Sequence, residues 1–284
     1  MITTLDIEPT TVCNLNCPFC FGPKVKKEEV EIDLQIWKEA FLKFKNRGVK
    51  NIVVSGGEPL MYNRIVELVK YLKSIKFNIV ISTHGRYKER LFEIASYCDW
   101  ISLPIDGVTS RTNQAMRTDN YPVSEILATA LELKKKYSKL KIKVGTVVTQ
   151  KNFQEITKIG DLLRDKLDCF DLWKVYQYTP RRKHKENHKL LCISDQDFWG
   201  LSILLRSRLS KKMRIVFSFN ESRRNAYVFI YQNGDVNVVN SGESFDDVYV
   251  GNINNFNDIN FKQINKLLGY NHHLNYANTY QTEK

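Results

Sequence analysis

The sequence predicts an α/β fold, namely a partial (β/α)6 open barrel followed by a C-terminal α+β extension. Six short apolar runs alternate with amphipathic helical segments over residues 1–178, a spacing typical of parallel strands joined by crossover helices. Six repeats are fewer than the eight that close a full barrel, so we expect an open one. Distinctive polar loops follow the first four strands, at the end where such barrels carry their active sites.

The individual repeats follow from apolar periodicity and from capping residues. Residues 2–7 form the first predicted strand, Asp33 is a predicted N-cap, and Gly48 ends the first helix. The apolar residues that share one face of this helix are Ile36, Trp37, Ala40, Phe41 and Phe44. The repeats that follow are predicted as strand 51–54, helix 63–74, strand 77–82, helix 87–97, strand 100–105, helix 123–137, strand 141–149, helix 153–166 and strand 171–177.

The pattern changes after the sixth strand. Residues 179–250 are predicted to form an extension that closes the barrel, with one helix capped by Ser194 and a hairpin that turns at Asn233-Gly234. Residues 251–284 form an Asn-rich tail, which we expect to be partly loose. The predicted organisation is therefore a barrel core, an extension and a tail.

Composition and charge narrow the class of protein. With 43% apolar and 26% charged residues, the chain is expected to be globular, and it has no 18-residue apolar run that would span a membrane. Its start, MITTLDIEPT, lacks the basic and apolar regions of a signal peptide, so we expect a cytoplasmic protein. The net charge of +12 is compatible with a phosphate-bearing partner and equally with solvated helix faces.

Three of the six cysteines lie within the stretch CNLNCPFC, at positions 13, 17 and 20. Disulfides are rare in the cytoplasm, where clustered cysteines usually bind metal or carry redox chemistry. A structural zinc site needs four ligands, usually in two separated pairs, and a [4Fe–4S] cluster normally takes four thiolates. Three thiolates leave one iron of such a cluster open for another ligand. The other cysteines, Cys98, Cys169 and Cys192, are isolated and predicted to be ordinary buried thiols.

Together with the loops that follow the next strands, CNLNCPFC resembles the cluster motif of the radical S-adenosylmethionine (radical SAM) superfamily. The resemblance implies that Cys13, Cys17 and Cys20 are metal ligands and catalytic residues, which hold three irons of a [4Fe–4S] cluster. The fourth iron would chelate the amino and carboxylate groups of S-adenosylmethionine. In this family the reduced cluster cleaves S-adenosylmethionine, and the resulting radical abstracts a hydrogen atom from the substrate.

Three further stretches imply contacts to S-adenosylmethionine. GGEP at 56–59 matches the family's motif for the methionine amino group, STHG at 82–85 corresponds to a stretch that lines the ribose, and LPIDG followed by NQAMR resembles the fourth-strand pattern. Glycines allow a close backbone approach, and a carboxylate can accept from an ammonium. The implied contacts are Phe19 at the adenine, Gly56, Gly57 and Glu58 at the amino group, Ser82 at the ribose and Arg117 at the methionine carboxylate.

The second half of the chain resembles the viperin-like branch of this family, whose members dehydrate nucleoside triphosphates. The resemblance is carried by KIKVGTVVTQKNF, LWKVYQ, SDQDFW and NESRRNAYVFI, and it implies that Lys143 and Lys174 face the nucleotide and that Tyr227 lies near its base. Both lysines lie in otherwise apolar strands without an acidic residue at a matching place. Because a buried unpaired charge is costly, a ligand phosphate is their expected partner, and the expected product is a didehydro-deoxy nucleotide.

Three departures from the branch leave the substrate open. Leu172, Gly145 and Pro104 stand where viperins carry an arginine, an asparagine and a serine-like residue. The basic loop after the sixth strand offers either other phosphate contacts or a solvated run of charge, through Arg181, Arg182, Lys183 and Lys185. The substrate is therefore predicted as a nucleotide or another phosphorylated metabolite.

Two other functions stay open. One is a peptide- or natural-product-modifying radical SAM enzyme, although relatives of that kind often end in a cysteine-rich module and the end of this chain has no cysteine. The more distant one is a basic nucleic-acid-binding metalloprotein, which would bind in a salt-dependent manner but for which the chain carries no recognised motif. The expected partners are a small-molecule substrate and an electron donor such as a flavodoxin or ferredoxin, with no membrane and no stable nucleic-acid complex.

Overall fold

The structure is a computed structural model that describes residues 2–22, 31–181, 187–223, 225–239, 247–269 and 271–280. Its strands are β1 (Thr4–Ile7), β2 (Asn51–Val54), β3 (Asn78–Ser82), β4 (Trp100–Pro104), β5 (Lys141–Val148), β6 (Leu172–Gln177), β7 (Ile215–Ser218), β8 (Val228–Ile230), β9 (Asp235–Val239) and β10 (Asp247–Asn252). Its helices are α1 (Leu34–Asn46), α2 (Ile65–Ser74), α3 (Lys88–Ala95), α4 (Ser110–Arg117), α5 (Val123–Lys136), α6 (Ile156–Arg164), α7 (His188–Leu191), α8 (Asp195–Leu209), α9 (Phe261–Leu267) and α10 (Asn271–Tyr280). Within these described ranges, no helix has the length and apolar character that crossing a membrane requires.

All the described strands belong to one sheet, in the spatial order β10-β9-β8-β1-β2-β3-β4-β5-β6-β7. The strands from β1 to β7 pair in parallel in sequence order, and β8 joins the other edge of β1, also in parallel. β9 and β10 extend that edge as antiparallel strands. Side chains of β1 and of the distant β6 line one cavity, so the sheet curves into an open barrel. The predicted partial barrel with an α+β extension is confirmed.

The first repeat illustrates why the predicted elements form. The side chain of Asp33 accepts a hydrogen bond from the Gln35 backbone N–H at 2.6 Å and caps α1. Trp37 and Phe41 lie one turn apart on this helix, stack with ring centroids 5.6 Å apart and are fully buried in the core. Ser194 likewise caps α8 as predicted. The other predicted elements of the barrel lie within a few residues of their expected bounds.

Four helices lie outside the sequence prediction: α4, α7, and α9 and α10 in the Asn-rich tail. Asparagine serves as a cap here, because the Asn260 side chain accepts from the Gln263 N–H at 2.9 Å where α9 begins. α10 is anchored by His272, whose ring accepts from the Thr3 N–H at 3.1 Å and donates to the Ala226 carbonyl at 2.8 Å. The described part of the tail therefore forms regular structure attached to the barrel. The boundary predicted after residue 250 falls within β10, and the division into three segments stays a prediction.

Substitution of the neighbours Phe41 and Leu42 tests how much the buried face of α1 contributes to the stability of the fold. Phe41 is fully buried, whereas Leu42 is 47% exposed. We expect Phe41→Ala to lower the free energy of unfolding by about 3–5 kcal/mol, because it leaves a cavity in the core, and Leu42→Ala to lower it by less than about 1 kcal/mol. Urea denaturation of both variants measures the difference, and equal losses would contradict the packing described here.

Candidate active site

A cavity of about 330 Å³ occupies the interior of the barrel and reaches the loops at the carboxyl ends of the strands. Every residue to which the sequence assigns a site role lines it: Cys13, Cys17, Phe19, Cys20, Gly56, Gly57, Glu58, Ser82, Arg117, Lys143, Lys174 and Tyr227. The fold therefore brings all the predicted contacts together around one space. The role of each of these residues stays a prediction.

The cysteine loop follows β1 and turns tightly, with the Cys20 N–H donating to the Cys17 carbonyl at 3.2 Å. The Cys17 thiol is buried, whereas those of Cys13 and Cys20 are half-buried. Burial raises the pKa of the Cys13 thiol to about 11. It also raises the pKa of the Cys17 thiol, an effect that the positive charge of Arg117 opposes. A metal therefore has to supply the positive charge that holds these cysteines as thiolates.

The donor set fits an iron–sulfur cluster better than a single metal ion. Among the residues that the structure describes, no three His, Cys, Asp or Glu side chains converge on one ion position. A cluster presents a separate iron to each thiolate, so the three thiolates need only face a common space, as Cys13, Cys17 and Cys20 do. Three thiolates also leave one iron available for S-adenosylmethionine.

The GGEP loop packs its backbone against the segment that leads into the cysteine loop. The Gly57 N–H donates to the Thr10 carbonyl at 2.9 Å, and the Glu58 N–H donates to the Val12 carbonyl at 2.8 Å. A Cβ on Gly57 would collide with the Val12 carbonyl oxygen. Gly56 has a φ of +118°, which side-chain-bearing residues rarely adopt. The two glycines are thus required for the close approach of these two loops to one another, whatever they contribute to a cofactor.

The Glu58 carboxylate is almost completely buried and accepts hydrogen bonds from the loops after β2 and β3. Its donors are the Leu60 N–H at 3.1 Å, the Thr83 hydroxyl at 2.6 Å and the His84 N–H at 2.9 Å. Burial raises the pKa of this carboxyl to about 7. His84 Nε2 also lies 3.3 Å from Glu58 Oε2. A carboxylate has roughly four acceptor sites, so the implied contact to the methionine ammonium has to share the carboxylate with these groups.

His84 connects the loop after β3 to the cysteine loop. Its Nδ1 accepts from the Arg86 N–H at 3.2 Å, so Nε2 carries the proton and donates to Asn14 Oδ1 at 2.8 Å. Burial, with the charges of Arg86 and Arg117, lowers the pKa of His84 to about 3, and the ring is therefore neutral. The sequence assigns His84 no role; its position in STHG, directly after a strand, was the available signal.

Arg117 ends α4 and is paired with Asp106, a residue that the sequence also leaves without a role. Arg117 Nε lies 2.6 Å from Asp106 Oδ2, and the guanidinium lies 5.0 Å from the ring centroid of Phe19. Asp106 accepts in addition from the Val147 N–H at 2.7 Å. Asp106 thus orients Arg117 over Phe19. Because the guanidinium is already paired with Asp106, a methionine carboxylate would have to share the positive charge of Arg117 with Asp106.

Lys143 and Lys174 lie at the deep end of the cavity, and each is only 4% exposed. Lys143 Nζ donates to the Tyr176 hydroxyl at 3.0 Å and to the Tyr280 hydroxyl at 2.7 Å. Lys174 Nζ donates to the Thr279 hydroxyl at 2.7 Å. Burial lowers the pKa of Lys174 well below its ordinary value, and the charge of Lys143 adds to the effect. Tyr280 and Thr279 belong to α10, a helix that the sequence analysis did not anticipate.

An acidic residue does face the two lysines, but it lies on β1 rather than on the strands that carry them. Asp6 lines the same cavity. Burial raises the pKa of its carboxyl to about 7 and Glu8 adds to the rise, whereas the charges of Lys143, Lys174 and Arg181 oppose it. Asp6 on β1 approaches the two lysines only because the sheet curves into a barrel. The spacing of these residues along the sequence therefore does not predict that they are close.

The remaining predicted substrate contacts differ in their surroundings. Tyr227 lies on the cavity wall in an aromatic cluster, 6.0 Å from Phe21 and 5.8 Å from Phe229 between ring centroids. Arg181 is fully buried, packs on the rings of Phe21 and Phe229, and pairs with Asp247. Its charge is thus already neutralised within the fold, which argues against a phosphate contact. Arg182, Lys183 and Lys185 lie outside the described residues.

Comparison with known proteins identifies related sequences. A family model described as the Radical SAM superfamily matches residues 7–163. An S-adenosylmethionine-dependent nucleotide dehydratase of Flammeovirga pacifica is 29% identical over 236 residues, which cover 77% of this chain and 76% of that protein. A protein of the same name from Lacinutrix mariniflava is 28% identical over 191 residues, 62% of this chain but only 38% of that protein. The chain thus matches well under half the length of this second relative.

Solved structures of similar fold include SuiB of Streptococcus suis bound to its precursor peptide SuiA, with a TM-score of 0.69 and 19% identity. That match covers 83% of this chain and 59% of SuiB. anSMEcpe with bound AdoMet and a peptide matches with a TM-score of 0.66 and 17% identity, covering 96% of this chain and 82% of that one. At these identities the likeness shows the shared fold alone.

Substitution of single cysteines tests the cluster ligands. After anaerobic reconstitution with iron and sulfide, we expect the parent to hold about four iron atoms per chain and to absorb broadly in the visible. Cys13→Ala, Cys17→Ala and Cys20→Ala should each lose this absorbance, because each removes one thiolate ligand. Cys98→Ala, Cys169→Ala and Cys192→Ala should retain it. Stoichiometric zinc in place of iron, or equal loss in both sets of variants, would contradict the assignment.

Binding of S-adenosylmethionine tests the contacts at its methionine end. Glu58→Gln and Arg117→Ala should keep the iron content but weaken binding by about ten- to a hundredfold, because each removes a charge-assisted hydrogen bond. The matched control is Arg111→Ala, since Arg111 lies on the same helix as Arg117 but is exposed. Equilibrium dialysis gives the three dissociation constants, and parent-like binding by the first two variants would remove both residues from the site.

Proposed function

The chain belongs to the radical SAM superfamily, and within that family we propose that it removes a hydrogen atom from a nucleotide or another phosphorylated metabolite and dehydrates it. It is an enzyme whose cofactors are a [4Fe–4S] cluster and S-adenosylmethionine. The product of the proposed reaction is a didehydro-deoxy nucleotide or its equivalent. The single observation that carries the proposal is the pair of buried lysines, Lys143 and Lys174, in the cavity that the cysteine loop also lines.

When bound, the cluster supplies the electron that cleaves S-adenosylmethionine and so starts the abstraction of hydrogen. The protein's own proposed contributions are binding, orientation and exclusion of water. Cys13, Cys17 and Cys20 are the proposed cluster ligands. Leu15 and Phe19 of the cysteine loop belong to an apolar cluster with Met116, Tyr178 and Leu191. This cluster favours a dry environment at that end of the cavity, which protects a reactive intermediate.

The argument for an anionic substrate is one of charge. Two ammonium groups at the deep end are hydrogen-bonded to neutral hydroxyls of Tyr176, Tyr280 and Thr279. Asp6 is the facing carboxylate on β1, and its pKa of about 7 leaves it only partly ionised near neutral pH. Burial and the charges of Lys143 and Arg223 lower the pKa of Lys174, and a ligand phosphate would offset both the desolvation of the lysines and their mutual repulsion. The similarity to the nucleotide dehydratase of Flammeovirga pacifica points the same way.

The partners that we propose are a small phosphorylated substrate and an electron donor such as a flavodoxin or ferredoxin, with a cytoplasmic location. A net charge of +12 favours association with acidic partners through long-range attraction. This applies equally to an acidic donor protein and to a phosphorylated metabolite.

Turnover in the presence of candidate substrates tests the proposal. The reduced, reconstituted enzyme is incubated with S-adenosylmethionine and each nucleoside triphosphate in turn, and 5′-deoxyadenosine is measured. One nucleotide should raise its formation well above background, and Lys174→Met should abolish the increase while leaving the uncoupled cleavage of S-adenosylmethionine intact. If a peptide stimulates turnover and no phosphorylated compound does, the enzyme modifies peptides instead.

Two tyrosines of α10 provide a matched pair for the same assay. Tyr280→Phe removes the hydroxyl that holds Lys143 but keeps the ring that packs edge-on against Trp100 at 5.3 Å. It should raise the KM for the nucleotide by about two- to tenfold, the usual value of one hydrogen bond, with little change in uncoupled cleavage. Tyr276→Phe should leave the KM unchanged, because Tyr276 packs in the same aromatic group without bonding to either lysine. Equal effects of the two changes would indicate a purely structural role.

A further inference from the structure

Asp6 is an acidic side chain that faces Lys143 and Lys174 in the cavity, and neither the sequence motifs nor the proposed reaction gives it a role. Its neighbours Leu5 and Ile7 are fully buried in the core. Because side chains alternate along a strand, Asp6 faces the opposite way, into the barrel. Val53, its register partner on β2, lines the same cavity.

The bonding of Asp6 differs from that of the lysines it faces. Lys143 and Lys174 donate to hydroxyl groups of the protein. Within the ranges that the structure describes, the Asp6 carboxylate has neither a hydrogen bond nor an ion pair, although the charges of both lysines act on it through space. Once a ligand fills the cavity and excludes water, an acceptor without a donor costs free energy, and a donor group on the ligand would remove that cost.

The charges around Asp6 limit which donor can satisfy it. A phosphate held by Lys143 and Lys174 has the same sign of charge as an ionised carboxylate, so the two groups repel each other. A hydroxyl has no such penalty, and it can donate to this carboxyl group in either protonation state, because a carboxyl oxygen accepts in both. A sugar phosphate carries both groups a few bonds apart: the anion for the lysines and a hydroxyl for Asp6.

We propose that Asp6 is a specificity residue that accepts a hydrogen bond from a sugar hydroxyl of the phosphorylated substrate. The inference rests on the proposed function and narrows its substrate to ribonucleotides and similar hydroxylated sugar phosphates. A deoxy analogue leaves this partly buried carboxylate without a donor, and sites built around such a bond reject ligands that lack the hydroxyl.

Binding of paired analogues to the enzyme loaded with cluster and S-adenosylmethionine tests the inference. The probes are ATP, CTP, GTP and UTP, each beside its 2′-deoxy and 3′-deoxy counterparts, with dissociation constants from equilibrium dialysis. For the nucleotide that binds, the parent should prefer the ribonucleotide over one of the deoxy forms by about ten- to a hundredfold. The Asp6→Ala variant should bind the ribonucleotide and its deoxy form with equal dissociation constants, both close to the value of the parent for the deoxy form. Asp6→Asn, which keeps the shape of the side chain, should show an intermediate ratio.

The control is Ser55→Ala, which removes a hydroxyl from the cavity wall directly after β2 and should keep the discrimination of the parent. Iron content and thermal midpoint verify that each variant is folded. The inference is overturned if Asp6→Ala retains the parental ratio, or if the parent binds both forms equally. If no nucleotide binds the parent at all, the proposed function fails and the inference fails with it. If a nucleotide binds but the Asp6 variants discriminate as the parent does, only the inference fails.

Discussion

The buried carboxylate of Glu58 holds together the loops from which the cysteine side of the cavity is built. It accepts hydrogen bonds from the loop after β2 and from the loop after β3, and His84 of the second loop reaches Asn14 in the cysteine loop. The hydrogen bond from the Gly57 N–H to the Thr10 carbonyl links the loop after β2 directly to the segment that leads into the cysteine loop. Three loops from three adjacent parallel strands are thus fixed to one another before any cofactor binds. Such preorganisation reduces the ordering that cofactor binding would otherwise require.

The deep end of the cavity is built on a different constraint, the desolvation of charge. Lys143 and Lys174 donate hydrogen bonds to hydroxyl groups inside the barrel. Two of those hydroxyls come from α10, 105 and 137 residues further along the chain from the lysines. The helix that carries them is anchored to the start of β1 and the end of the loop before β8 through His272. The tail and the barrel therefore form one site.

What the sequence predicted well is what depends on local pattern. Strands and helices of the barrel follow from apolar periodicity and from caps such as Asp33 and Ser194, and the loops at the strand ends follow from order along the chain. Asp6, Asp106 and the hydroxyls of α10 were missed, because each acquires its meaning only when the barrel curves and brings distant segments together. The tail was expected to be partly loose because it is rich in asparagine and lies at the end of the chain, yet Asn260 acts as the cap that starts a helix.

The fold alone does not decide the class of substrate, since SuiB, bound to a precursor peptide, shares it. The difference has to lie in the site. Here Tyr276 and Tyr280 line the deep end of the cavity, which we call its floor; their rings lie 4.9 Å apart, and Tyr280 packs on Trp100. An extended peptide needs a long open groove with partners for its backbone groups, whereas a floor with two buried lysines suits a compact anion. A cavity of about 330 Å³ also lies in the range of small-molecule sites. The charged floor, and not the barrel that surrounds it, is therefore the feature that favours a phosphorylated metabolite.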